Sequence, residues 1–141
     1  MTDERILWIT NTPKLEDYFV LQEILKRKGY EIELRNPETA LEGIAPECEG
    51  VELIVVECFL SQGENRQEDI IERVRAVYTG KVMLYVNFWS NKARDEALKR
   101  TGADYAFNGR FVPVDFPQIL EAIFGKANKT KMPGNLVSNL A

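Results

Sequence analysis

The chain has 141 residues, of which 45% are hydrophobic and 28% charged, and its net charge is −4. That length can bury one core, and the balance is that of an ordinary globular domain. An acidic total argues against general nucleic-acid affinity, which needs a basic surface. No apolar run approaches a membrane span. Histidine is absent, which removes the commonest general base and metal ligand. Cys48 and Cys58 are the only cysteines and show no metal-ligand spacing. Reduced, mostly buried thiols in a cytoplasmic protein are expected, with a disulfide as the alternative. The opening MTDERILWIT places two acids before its apolar run and has no cleavage-site pattern, so no signal peptide is expected.

The first strand is read at residues 5–10, RILWIT. Thr12 and Pro13 then supply a cap and a first helical position. A helix follows to about Lys28, with Tyr18, Leu21 and Leu25 on its core face at three- and four-residue spacing. Gly29 stops it. Residues 31–35, EIELR, alternate as a strand with Ile32 and Leu34 inward. Asn36 and Pro37 repeat the cap-and-proline start for a short second helix carrying Ala40, Leu41 and Ile44, closed by Pro46.

The stretch 51–61, VELIVVECFLS, is the centre of the chain. Its run of Leu53, Ile54, Val55 and Val56 is short and β-branched, as in a strand buried on both faces of a parallel sheet. It ends on the carboxylate of Glu57, where the ligand crevice of an open α/β sheet lies. A third helix is read at about 66–78 with Ile70, Val74, Val77 and Ile71 inward, ended by Gly80. Residues 81–86, KVMLYV, form a further buried strand. Ser90 caps a fourth helix over 91–100 whose apolar face is Ala93, Ala97 and Leu98, and Gly102 ends it. A fifth strand is read at 105–108. A last helix starts at Asp115 with Phe116, Ile119, Leu120 and Ile123 inward and ends at Gly125.

This alternation of strand and helix implies parallel pairing with right-handed crossovers. The expected fold is a three-layer α/β/α sandwich around a five-stranded parallel sheet, flavodoxin-like, over residues 1–125. Residues 126–141 are polar, contain a Pro-Gly and offer only Leu136, Val137 and Leu140 for burial. They are read as a tail or linker, which those residues could dock.

Several segments in register then resemble the receiver domain of two-component response regulators, the CheY-like family, over residues 4–125. ILWITNTP looks like that family's first strand, acidic turn and proline. ILKRKGYEIELRNPETALE is similar to its first helix, Gly-Tyr, second strand and second helix. VELIVVECFL falls where the phospho-accepting Asp lies, and RTGADYAFNGRF looks like its Gly-Ala-Asp segment. The resemblance implies strand order 2-1-3-4-5 and a role in signalling. The chemical positions depart from the pattern. Thr10 and Asn11 stand where the acidic pair would bind Mg²⁺, and Glu57 replaces the acceptor Asp. Val86 or Asn87 falls at the hydroxyl position, and Gly109 or Asn108 at the lysine, with Arg110 beside it. A hard divalent cation wants several oxygen ligands, carboxylates among them. Without it, phosphoryl transfer loses positioning and charge neutralisation. The expectation is a degenerate, phosphorylation-independent receiver with no catalytic residue, no metal, no Mg²⁺ and no cofactor, acting through a protein partner or a second copy.

Two readings stand open for Glu57: a built-in mimic of an activated state, held by Arg110 or backbone amides, or a solvated strand-end charge. Asn11, Asn87 and Asn108 are expected to converge on the same crevice, for a small ligand, for a water network or for local turn hydrogen bonds. Phe88 and Trp89, with Phe59 and Phe111, form loop aromatics that contact a partner, act as a lid filling the vacated phosphate pocket, or pack back on the core. Tyr105 and Phe107 flank the family's switch aromatic and are contact candidates. By resemblance, the face of fourth helix, fifth strand and fifth helix, about residues 91–124, is nominated for dimerisation or docking. Lys92, Arg94, Lys99 and Arg100 make that helix basic, which reads either as a solvated face or as a match for an acidic partner. The alternative function is a flavodoxin-like module binding a small molecule, such as a nucleotide or quinone, among Asn11, Glu57, Asn87, Trp89 and Arg110. Its glycine-rich phosphate loop is missing after the first strand.

Overall fold

A computed structural model describes residues 4–10, 16–36, 49–57, 67–86, 91–108, 116–124 and 136–138. Five strands, β1 (Glu4–Thr10), β2 (Tyr30–Arg35), β3 (Val51–Glu57), β4 (Lys81–Val86) and β5 (Tyr105–Asn108), pair in parallel in the order β2-β1-β3-β4-β5. Among the described residues the helices are α1 (Glu16–Arg27), α2 (Gln67–Arg75), α3 (Asn91–Thr101) and α4 (Phe116–Phe124). The parallel sheet and its order are as expected from the sequence. The short helix read between β2 and β3 lies outside the described residues.

The sheet has one more strand than expected. β6 (Leu136–Ser138) pairs antiparallel with the outer edge of β5, Ala106 opposite Val137 and Phe107 opposite Leu136. It comes from the stretch read as a tail or linker. Three residues are too few for a periodic signal, and only the open edge of β5 makes them a strand.

Alternation along each strand divides the core in two. Leu7, Ile9, Ile54, Val56, Val82, Leu84 and Ala106 face one side with α2 and α3 residues Ile70, Ile71, Val74, Ala97 and Leu98. Ile6, Trp8, Leu53, Val55, Met83, Tyr85, Tyr105 and Phe107 face the other, under Tyr18, Leu21 and Leu25 of α1 and Phe116, Ile119, Leu120 and Ile123 of α4. α1 and α3 both close at a glycine with positive φ, 88° at Gly29 and 71° at Gly102. That is the left-handed ending which glycine adopts without steric cost.

Two expectations are corrected. α2 ends at Arg75, so Val77 falls in the following turn and is 45% exposed, while Ile71 and Tyr78 are buried. The Tyr78 hydroxyl donates to the Val51 carbonyl at 3.1 Å, which fixes the ring where Val77 was expected. Arg94 is not part of a solvated basic face: it is 5% exposed, and its Nε donates to Asp95 Oδ1 at 3.0 Å. An arginine stem can cover apolar surface, and α3 has only Ala93, Ala97 and Leu98 otherwise to do so.

The Gly-Ala-Asp segment is a structural clamp. Asp104 Oδ2 accepts from Arg75 Nη2 at 2.7 Å and from the Val82 amide at 2.8 Å, while the Asp104 amide donates to Val82 O at 2.9 Å. Arg75 Nη1 also donates to Gly80 O at 2.7 Å. One carboxylate thus ties the end of α2 to the starts of β4 and β5.

Candidate functional site

Glu57 is the last residue of β3 and stands in register with Thr10, the last residue of β1. Alternation puts Glu57 on the face of Leu53 and Val55, and Thr10 on that of Ile6 and Trp8, which is the same face. The carboxylate therefore turns under α1 and α4. There Trp8, with 0% exposure, donates its indole N–H to Glu57 Oε1 at 2.9 Å. Tyr18, carried by the first turn of α1, donates its hydroxyl to the same oxygen. Thr10 Oγ1 lies 3.2 Å from the Tyr18 hydroxyl oxygen and closes the group.

Aromatic rings wall this carboxylate. The Trp8 ring centre is 5.7 Å from that of Tyr18, 5.7 Å from that of Tyr85 and 4.9 Å from that of Phe116. Tyr85 stacks on Phe107 at 4.9 Å and 12°. Such walls are poor solvent for a charge. Burial raises the Glu57 pKa above the ordinary carboxylate value, and the hydrogen bonds from Tyr18, Trp8 and Thr10 offset only part of that rise. Burial, then the nearby Glu57 and Tyr18, push the Tyr85 phenol far up, so it stays neutral.

Glu57 is thus neither a solvated strand-end charge nor, among the described residues, one held by an arginine. It is half-buried and satisfied by an indole and a phenol. Sequence reading placed Tyr18 in the core but missed it and Trp8 as partners of Glu57. The signal was present: a buried tryptophan needs an acceptor for its N–H, and the alternation 6, 8, 10 shares its face with 53, 55, 57.

The other candidates are less fully placed. Asn11, Asn87, Phe88, Trp89 and Arg110 lie outside the described residues, as do Cys48, Cys58, Phe59, Gly109 and Phe111. Asn108 ends β5 opposite Val86 of β4. Tyr105 and Phe107, nominated for contact, are each 5% exposed and belong to the core under α4, so in this conformation neither offers surface to a partner. Thr10, at one of the two positions expected to lack an acid, is buried beside Glu57. Among the described residues no three His, Cys, Asp or Glu side chains come together as metal ligands, and no helix is long and apolar enough to cross a membrane.

No family model matches the chain, and no curated protein sequence matches it significantly. Solved structures do resemble it. A two-component response regulator from Clostridium difficile has TM-score 0.67 at 20% identity, covering 90% of this chain and 100% of that one. The chemotaxis protein CheY4 of Vibrio cholerae has TM-score 0.67 at 16% identity, covering 86% and 99%. The receiver domain of the Francisella response regulator 1452 has TM-score 0.67 at 13% identity, covering 88% and 98%. At such identities the likeness speaks for architecture: this chain has the CheY-like receiver fold, with Glu57 at the end of its third strand.

Proposed function

We propose that the chain is a receiver-like signalling module that acts through protein contact and without accepting a phosphoryl group. The observation that carries this reading is the state of Glu57. Its Oε1 already receives two hydrogen bonds, from Trp8 and Tyr18, and its side chain is half-buried beside the first turn of α1. A phosphoryl acceptor needs an accessible carboxylate, and a neighbouring cation needs further acids. The residue in register with Glu57 is Thr10, which is neutral.

The proposed contact face is that of α3, β5 and α4, nominated by likeness to receivers, with the outer edge of β5 covered there by β6. Lys92, Lys99 and Arg100 are exposed along α3 beside the exposed acids Asp95 and Glu96, and the two basic residues of its last turn, Lys99 and Arg100, are the part suited to an acidic partner. On this reading the chain is not an enzyme and needs no cofactor.

The test is incubation with acetyl phosphate and Mg²⁺, followed by mass spectrometry of the intact chain. The expected result is no gain of a phosphate. A gain mapped to Glu57, or to any residue near the end of β3, overturns the reading.

A further inference from the structure

The two edges of the sheet are finished differently. At β2 the edge is dressed by a side chain: Gln22 of α1 donates to the Ile32 carbonyl at 3.2 Å. At β5 the edge is finished by backbone, through β6. An edge strand presents a row of amides and carbonyls that any extended chain can pair with. β5 is such a template, its residues Tyr105, Ala106 and Phe107 buried and its partner only three residues long. A three-residue strand at a sheet edge, paired with one neighbour, belongs to the least stable class of element and opens locally without global unfolding.

Eleven residues, 125–135, separate α4 from β6. At roughly 3.3–3.6 Å per extended residue, such a length reaches about 36–40 Å. That is enough to deliver the strand to the edge it came from or to the same edge of a neighbouring molecule. The sequence GKANKTKMPGN carries three lysines and a Pro-Gly, and little that would bury itself on the way. A second copy offers an identical acceptor, so a strand that moves to it regains every backbone pair it leaves. Exchange of identical elements is a low-cost route to a dimer.

We propose that the outer edge of β5 is a strand-acceptor site and that its occupant in a dimer is Leu136–Ser138 of a second copy, each chain giving its β6 to the other. The inference stands on the β5–β6 pairing and does not depend on how the module signals.

The test uses the full chain with Cys48 and Cys58 replaced by serine. Ala106 and Val137 are register partners. The Cα atoms of antiparallel partners stand about 4.5–5.5 Å apart, within the span of a disulfide. The single variants Ala106→Cys and Val137→Cys are purified, mixed at high concentration, warmed and oxidised. The expected product is a two-chain species joined by a 106–137 disulfide, identified by peptide mass. The double variant, oxidised when dilute, closes the same bond within one chain. So locked, it is expected to sediment as a monomer at concentrations where the unlocked chain forms dimers. No mixed disulfide, an unlocked chain that stays monomeric throughout, or a locked chain that dimerises as readily as the unlocked one overturns the exchange. A double variant that fails to close its own bond overturns the register on which the proposal stands.

Discussion

Replacing Glu57 by alanine and by glutamine separates two roles of its side chain. Alanine removes the acceptor. The indole N–H of the fully buried Trp8 loses the carboxylate, while Tyr18 keeps Thr10 within reach. A buried donor left without its acceptor costs about 1–3 kcal/mol, and the lost bond from Tyr18 adds about 1 kcal/mol. Glu57→Ala should therefore lower the unfolding free energy by roughly 2–4 kcal/mol. Glutamine keeps an acceptor oxygen in the same place without the charge. Because folding raises the Glu57 pKa, the neutral form is the one the fold prefers, and Glu57→Gln should be as stable as the parent at pH 7 or more so. The sign of the pH dependence follows. The folded state binds the Glu57 proton more tightly than the unfolded chain does. That contribution is complete below the ordinary carboxyl value of 4.5 and is lost as pH rises through the higher folded value. Glu57→Gln should lack this loss. Urea unfolding followed by tryptophan fluorescence, from pH 4.5 upward, measures all three proteins. If glutamine costs as much as alanine at pH 7, the charge itself holds the fold together and the argument from burial fails.

Three further outcomes are expected. Asp104→Ala removes the acceptor of both Arg75 and the Val82 amide and should cost about 2–3 kcal/mol in the same assay, given the charged and partly buried partners; a loss under about 0.5 kcal/mol would mean the clamp is ornamental. Ile71→Ala should cost about 2–4 kcal/mol and Val77→Ala under about 0.5 kcal/mol, since the first is buried and the second stands in an exposed turn; the reverse order would place the end of α2 wrongly. Tyr85 should remain un-ionised in an alkaline absorbance titration for as long as the fold persists, and Tyr85→Phe should leave the count of phenols titrating in the folded state unchanged.

The parallel sheet was legible because its strands are written twice over, as apolar runs and as the helices between them. Leu53 to Val56 need two apolar faces, and the faces come from Leu21 and Leu25 on one side and Ile70 and Val74 on the other. What was not legible depended on which residues meet across the sheet. Val77 continues the helical spacing of Ile70 and Val74, but α2 stops before reaching it. Arg94 reads as charge, yet its helix has too few large apolar side chains to cover the sheet without it. β6 has no sequence signal because its reason for existing is an edge elsewhere in the chain. The candidate site shows the same limit. Glu57 was found from its place at a strand end, but its surroundings follow from the register of β1 against β3, which no single segment states.

That register has a consequence for how the fold treats its central carboxylate. Parity sends a residue at position 57 to the side of the sheet where Trp8 lies, whatever its chemistry. An acid there can be satisfied only by donors from the same side, and Trp8, Thr10 and the α1 residue Tyr18 supply them. Each is amphipathic, apolar enough to belong to the core and polar at one atom. The acid thus ties α1 to the centre of the sheet, and the tie weakens if any one member is replaced by an apolar residue. Tyr18→Phe tests this most directly, because it deletes one oxygen and leaves the packing. It should lift the Glu57 pKa further by removing the strongest hydrogen bond that opposes the rise. The loss of stability with rising pH should then extend to higher pH than in the parent, and an unchanged profile would show that the phenol does not hold the carboxylate.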